Sequence, residues 1–170
     1  MTTLHARNLI DGRWQSAERG APASSLDPSS QNIIGRYEAS GRVDAEAAVA
    51  AARRAFDRPD WAQNPRLRQT VMLKWADVME RRGQELADLL TRENGKPLAQ
   101  SRGEIAGSVS EIRYYAGLTR YIPGHVFEVE PGTYSTLLKE PAGVAGLIIP
   151  WNAPAVLLIR ALTPALAAGC

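Results

Sequence analysis

The chain is nearly without cysteine. Cys170 is the only one and stands last in 170 residues, so no internal disulfide can form and a reducing compartment, the cytoplasm, is expected. Histidine is almost as scarce. His5 and His125 make no ligand spacing with each other or with Cys170, and no metal site is expected. No run of one charge sign occurs: 20 basic and 18 acidic residues are scattered along the chain for a net charge of +2, which leaves no basic stripe for nucleic acid to follow. The opening Met1-Thr2-Thr3-Leu4-His5-Ala6-Arg7 lacks the apolar core of a secretory signal. Repeats, low-complexity linkers and the Gly-x-Gly-x-x-Gly pattern are absent too.

What is present is an ordinary globular balance, 45% apolar and 22% charged. The least polar stretch is residues 143–170, with Arg160 as its single charge. It is long enough to span a bilayer. However, Pro150, Pro154 and Pro164 divide it and Asn152 sits in the break, so a lipid-facing helix would have backbone groups to satisfy, and no membrane is expected. The stretch reads instead as strand, turn and helix. Gly143-Val144-Ala145-Gly146-Leu147-Ile148-Ile149 suits a strand buried on both faces of a parallel sheet. Pro150 stops it, Trp151 and Asn152 make the turn, and Pro154 opens a helix that Gly169 closes. Such a turn lies where open α/β sheets place their ligands, which makes Asn152 the first candidate for chemistry; an ordinary turn remains the other reading.

Before it, Asp11-Gly12 between apolar flanks predicts a two-residue hairpin, and residues 32–37 predict a second extended piece. An alanine-rich helix follows, with Asp44 as its cap and Val49, Ala52 and Phe56 on one face. Asn64-Pro65 opens a helix whose Leu67, Val71, Trp75, Val78 and Met79 point to a core, with Arg66, Arg68, Lys74, Asp77, Glu80 and Arg81 on the wet side. Gly83 weakens that pattern, and Asn94-Gly95 ends it. A third helix from Pro97 aligns Ile105, Val109, Ile112 and Ala116. Tyr114 and Tyr115 read as packing groups. Residues 125–139 form a hairpin about Pro131-Gly132 with one wet face, a ribbon open to another subunit.

A buried parallel strand and its crossover helix should return to a second strand, and the residues for it do not follow Cys170. The chain is therefore expected to be the amino-terminal part of a longer protein, poorly folded by itself.

Taken in order, Asp11-Gly12-Arg13-Trp14, Ala55-Phe56, Trp61, Glu93-Asn94-Gly95-Lys96-Pro97, Tyr114-Tyr115-Ala116-Gly117, Lys139-Glu140-Pro141-Ala142-Gly143-Val144, Pro150-Trp151-Asn152 and Pro164-Ala165-Leu166-Ala167-Ala168-Gly169-Cys170 resemble the amino-terminal third of the NAD(P)-dependent aldehyde dehydrogenases. The resemblance implies an α/β fold: the amino-terminal part of a Rossmann-like domain with a helical framework (1–124), a protruding oligomerisation hairpin (125–140) and the first strand-turn-helix of the dinucleotide-binding sheet (141–170). It implies oxidation of a small-molecule aldehyde to a carboxylic acid with NAD or NADP, in a homodimer or homotetramer. Asn152 would donate its amide to the oxygen of a cysteine thiohemiacetal, and Ile148, Ile149, Pro150 and Trp151 would form one wall of the cofactor cleft. The nucleophilic cysteine and the glutamate base would lie beyond this chain, so the 170 residues alone are expected to be inactive.

Ala153, Leu157 and Arg160 would line the substrate tunnel. Many members carry an aromatic residue where Ala153 stands, which implies a wider tunnel here. Many carry a lysine where Ala161 stands; Arg160 is then either a partner for an acid of the site or a helix charge paired elsewhere. A non-catalytic assembly module, or a relative that uses acyl-CoA or acyl phosphate, would share these motifs.

Overall fold

The computed structural model describes residues 4–170. Its first strand, β1 (Leu4–Ala6), leads into the hairpin of β2 (Asn8–Ile10) and β3 (Arg13–Gln15), where Leu9 lies opposite Trp14. Asp11 and Gly12 take φ of 52° and 74°, the left-handed pair that matches a hairpin turn to the twist of its strands. Next, β4 (Ala23–Leu26) runs antiparallel to β5 (Ile33–Tyr37), and β1 lies on the other side of β5, parallel to it. Neither β1 nor β4 has a strand pattern of its own. The ladder to β5 makes them strands.

The helix α1 (Arg42–Phe56) begins earlier than expected. Gly41 is its cap, and Asp44, one turn in, accepts the Gly41 N–H at 3.0 Å, because a carboxylate at this position can satisfy the cap from inside the helix. Its anticipated apolar face is open, with Val49 56% exposed. A single turn, α2 (Pro59–Ala62), precedes α3 (Pro65–Arg81), which Asn64 caps through Leu67 N at 3.0 Å. The core face of α3 keeps Trp75 and Met79 of the expected residues, which pack against the core, but is centred one residue round. Arg68, Met72 and Ala76 are buried, while Leu67, Val71 and Val78 are exposed. Arg68, read as a wet-face charge, can be buried because main-chain oxygens accept hydrogen bonds from its guanidinium. Arg82 breaks the helix, α4 (Gly83–Asn94) resumes it, and Gly95 stops it at φ 80°.

The long α5 (Leu98–Leu118) runs through the middle of the helical layer. On one side its Val109, Ile112 and Ala116 pack with Met72 and Ala76 of α3 and with Ile159 and Ala167 of α6 (Pro154–Ala168). On the other its Ile105 packs with Ala87 and Leu90 of α4. Ser101 and Ser108, both fully buried, keep the side chains short where these helices meet. The Tyr115 ring joins this core and meets Tyr114 edge-on at 5.1 Å.

The second hairpin pairs β6 (His125–Glu130) with β7 (Thr133–Leu137) about Pro131-Gly132. All its residues are exposed; the anticipated dry face has no cover among the described residues. Residues 143–149, expected as a strand buried on both faces, belong to none of the three sheets, and Ile148 is 99% exposed. A strand exists by pairing, and the described residues bring no partner alongside. No helix among the described residues is long and apolar enough to cross a membrane.

Candidate active site

The turn at Trp151 and Asn152 is held by its main chain. Pro154 opens α6, and Ala153, its cap residue, offers no side-chain acceptor to the free N–H groups of the first turn. Glu104, projecting from α5, takes that place: its Oε1 accepts Ala155 N at 2.8 Å and Val156 N at 3.2 Å. A carboxylate there also meets the positive end of the helix dipole.

The other oxygen of Glu104 is paired with Lys96 Nζ, which donates as well to the carbonyl oxygen of Asn152 at 3.0 Å. The two side chains are 11% and 7% exposed, so water screens the pair little. Asn94 Nδ2 donates to the carbonyl of Trp151 at 2.8 Å. The turn that ends α4 thus grips two successive peptides of the turn that begins α6. Gly95 lets Asn94 and Lys96 flank it: at φ 80° a Cβ would stand 2.8 Å from Pro28 Cγ.

The far end of α6 is held by a cation. Arg68 Nε donates to the carbonyl of Ala167 at 3.2 Å, and its Nη1 donates to Trp61 O at 2.8 Å and Ala62 O at 2.7 Å. Burial draws the Arg68 pKa below its ordinary value. Trp61 Nε1 donates to Cys170 O at 2.9 Å, beyond the left-handed cap at Gly169.

Asn152 itself is exposed, as are Ile148, Pro150 and Trp151, the last by 83%, while Ile149 is half-buried. Ala153 and Leu157 are half-buried, and with Arg160 they follow one another up one face of α6. Arg160 is exposed, and its Nε donates to Glu111 Oε1 at 3.1 Å. Among the described residues no group of three His, Cys, Asp or Glu side chains could hold a metal ion.

The sequence reading missed Asn94, Lys96 and Glu104. Glu104 carried a usable signal, since it lies on α5 between the buried Ser101, Ile105 and Ser108, where a charge needs a partner. Lys96 stood only within the Glu93-Asn94-Gly95-Lys96-Pro97 motif, and no local pattern pointed to its contacts, made 8 and 56 residues away.

Chemically, the arrangement presents one neutral amide, that of Asn152, on a turn fixed at the mouth of a helix. Residues 14–170 match the profile of the "Aldehyde dehydrogenase family". The chain is 39% identical over 163 residues to betaine aldehyde dehydrogenase of Bacillus subtilis (strain 168), covering 95% of this chain and 33% of that protein. It is 36% identical over 168 residues to the NADP/NAD-dependent aldehyde dehydrogenase PuuC of Escherichia coli (strain K12), covering 98% and 34%. The solved betaine aldehyde dehydrogenase of Staphylococcus aureus in complex with NAD+ superposes with a TM-score of 0.93 at 33% identity, over 98% of this chain and 34% of that one. The chain therefore spans about a third of the length of these relatives. With nearly all of its residues matched in sequence and in fold, it belongs to the aldehyde dehydrogenase family.

Proposed function

We propose that the chain is the amino-terminal portion of an enzyme that oxidises an aldehyde to a carboxylic acid with NAD or NADP, and that Asn152 supplies one donor of its oxyanion hole. The observation that carries this reading is the double anchoring of the turn, Asn94 on the Trp151 carbonyl and Lys96 on the Asn152 carbonyl. Attack of a cysteine thiolate on an aldehyde gathers negative charge on the carbonyl oxygen. An amide already in place stabilises that charge more than it stabilises the substrate. It takes up no proton near neutrality, so the donor persists across physiological pH. In this reading Cys170 is not the nucleophile; its carbonyl is tied to Trp61.

The residues of the turn fit one wall of a dinucleotide cleft, since Ile148 and Trp151 present uncharged apolar surface to solvent. Ile148, Ile149, Pro150 and Trp151 would hold the nicotinamide end, where the bound cofactor accepts a hydride. Ala153, Leu157 and Arg160 would border the aldehyde. The exposed hairpin of β6 and β7, with Phe127, Tyr134 and Leu137 uncovered, would join subunits into a homodimer or homotetramer, and the enzyme would work in the cytoplasm. These 170 residues by themselves would be inactive.

The test is aldehyde-dependent reduction of NAD or NADP by the full-length enzyme and its Asn152→Ala variant. Loss of one oxyanion donor lowers kcat about 100- to 1,000-fold. Equal rates in the two enzymes would remove Asn152 from the mechanism.

A further inference from the structure

Lys96 and Glu104 form an ion pair that is almost dry, at 11% and 7% exposure. Removing two charges from water is costly, and apolar side chains of similar volume commonly serve stability as well or better. The pair is nonetheless engaged on both of its members around one residue. Lys96 donates to the carbonyl of Asn152, and Glu104 accepts the N–H groups of Ala155 and Val156. Asn94 holds the peptide before, through Trp151 O. The backbone of Asn152 is thus fixed on both sides, and what remains free is its side-chain torsions.

We propose that Lys96 and Glu104 are positioning residues for Asn152, an inference that rests on the oxyanion role proposed above. By fixing the main chain they present the amide where charge develops, so that little reorganisation accompanies the reaction. Neither side chain touches the substrate in this role. Their effect passes entirely through Asn152, which separates it from a general contribution to folding.

The experiment is a double-mutant cycle in the full-length enzyme, with Glu104→Gln or Lys96→Gln placed in the Asn152 and Asn152→Ala backgrounds. Glutamine at 104 keeps an acceptor for Ala155 N while removing the charge that holds Lys96. Each single variant is expected to lower kcat about tenfold and to leave the dinucleotide Kd unchanged. In the Asn152→Ala background the same substitutions should cost less than about twofold, because the group they position is gone. Equal losses in both backgrounds, or no loss while Asn152 is present, would overturn the proposal and leave the oxyanion reading standing. Full activity of Asn152→Ala would remove that reading and the positioning role with it. Should Glu104→Gln yield no soluble enzyme, Lys96→Gln completes the cycle; insoluble protein from both would make the pair a folding element and overturn the proposal.

Discussion

Arg68 Nε lies 3.2 Å from the carbonyl oxygen of Ala167, so a guanidinium rooted in the first turns of α3 ends at the last turn of α6. Its Nη1 spans to α2 through Trp61 O and Ala62 O. Lysine keeps the charge but cannot reproduce the planar fork that reaches three carbonyls from one buried position. Arg68→Lys is expected to destabilise the protein by ~2 kcal/mol and Arg68→Ala by ~3 kcal/mol, since buried acceptors lose their donors. The urea midpoint of the full-length enzyme and its variants measures both.

Gly95 serves two requirements at once, a left-handed backbone at φ 80° and clearance from Pro28, whose Cγ would be 2.8 Å from any Cβ. Gly95→Ala is expected to cost ~1–2 kcal/mol, because a side chain in this conformation is strained and the neighbouring ring must shift. The shift would be transmitted to Lys96, so kcat should fall together with the thermal midpoint. An unchanged midpoint would show that the turn relaxes freely.

Acid should loosen the segment that covers the start of α1. Asp44 accepts the N–H groups of Gly41 at 3.0 Å and Glu18 at 2.9 Å, and these hold its pKa below the ordinary carboxylate value. Glu38 is lowered in the same direction, first by the Ala17 N–H at 2.8 Å. A carboxylate whose folded pKa is depressed adds stability above its unfolded pKa, about 4, and loses it as pH falls through the folded value. Hydrogen exchange at Ala17 and Glu18 should therefore accelerate below about pH 4 beyond its intrinsic pH dependence. For Glu18 that acceleration should disappear in Asp44→Asn, which keeps an acceptor without titrating.

Ala153 is half-buried at the entry of α6 and carries only a methyl group. In the full-length enzyme, Ala153→Phe is expected to lower kcat/KM for bulky aldehydes about tenfold relative to slim ones, the scale on which apolar pockets discriminate by size. An unchanged ratio, measured by competition between two aldehydes, would show that residue 153 does not border the substrate.

Much of the fold is legible where one residue type settles a local conformation. Asp11-Gly12 marked the first hairpin, Asn64-Pro65 the start of α3, and Gly95 and Gly169 the ends of α4 and α6. The spacing of Ile105, Val109, Ile112 and Ala116 identified the buried face of α5. The face of α3 is legible only in part: Trp75 and Met79 pack against the core as expected, but Leu67, Val71 and Val78 are exposed, and the deciding residue, Arg68, is a cation. Its burial depends on carbonyls of α2 and α6, which helical periodicity does not register. β1 and β4 were illegible for a similar reason, as each becomes a strand only against β5. In the site, Asn152 stood out through its turn, whereas Glu104 reaches it from 51 residues away by a contact to Ala155 N.

The α6 helix meets a carboxylate at its first turn and a guanidinium at its last, Glu104 at Ala155 and Arg68 at Ala167. Between those two residues lie about 18 Å of helix. Sliding along the axis in either direction would pull a carbonyl or an N–H group out of reach of its charge, and neither helix that bears those charges could follow without parting from the common core. The pair therefore acts as a gauge rod. It sets where the Asn152 turn stands along the helix axis, so that the turn can neither advance nor retreat, and the contacts from Asn94 and Lys96 hold its peptides against turning.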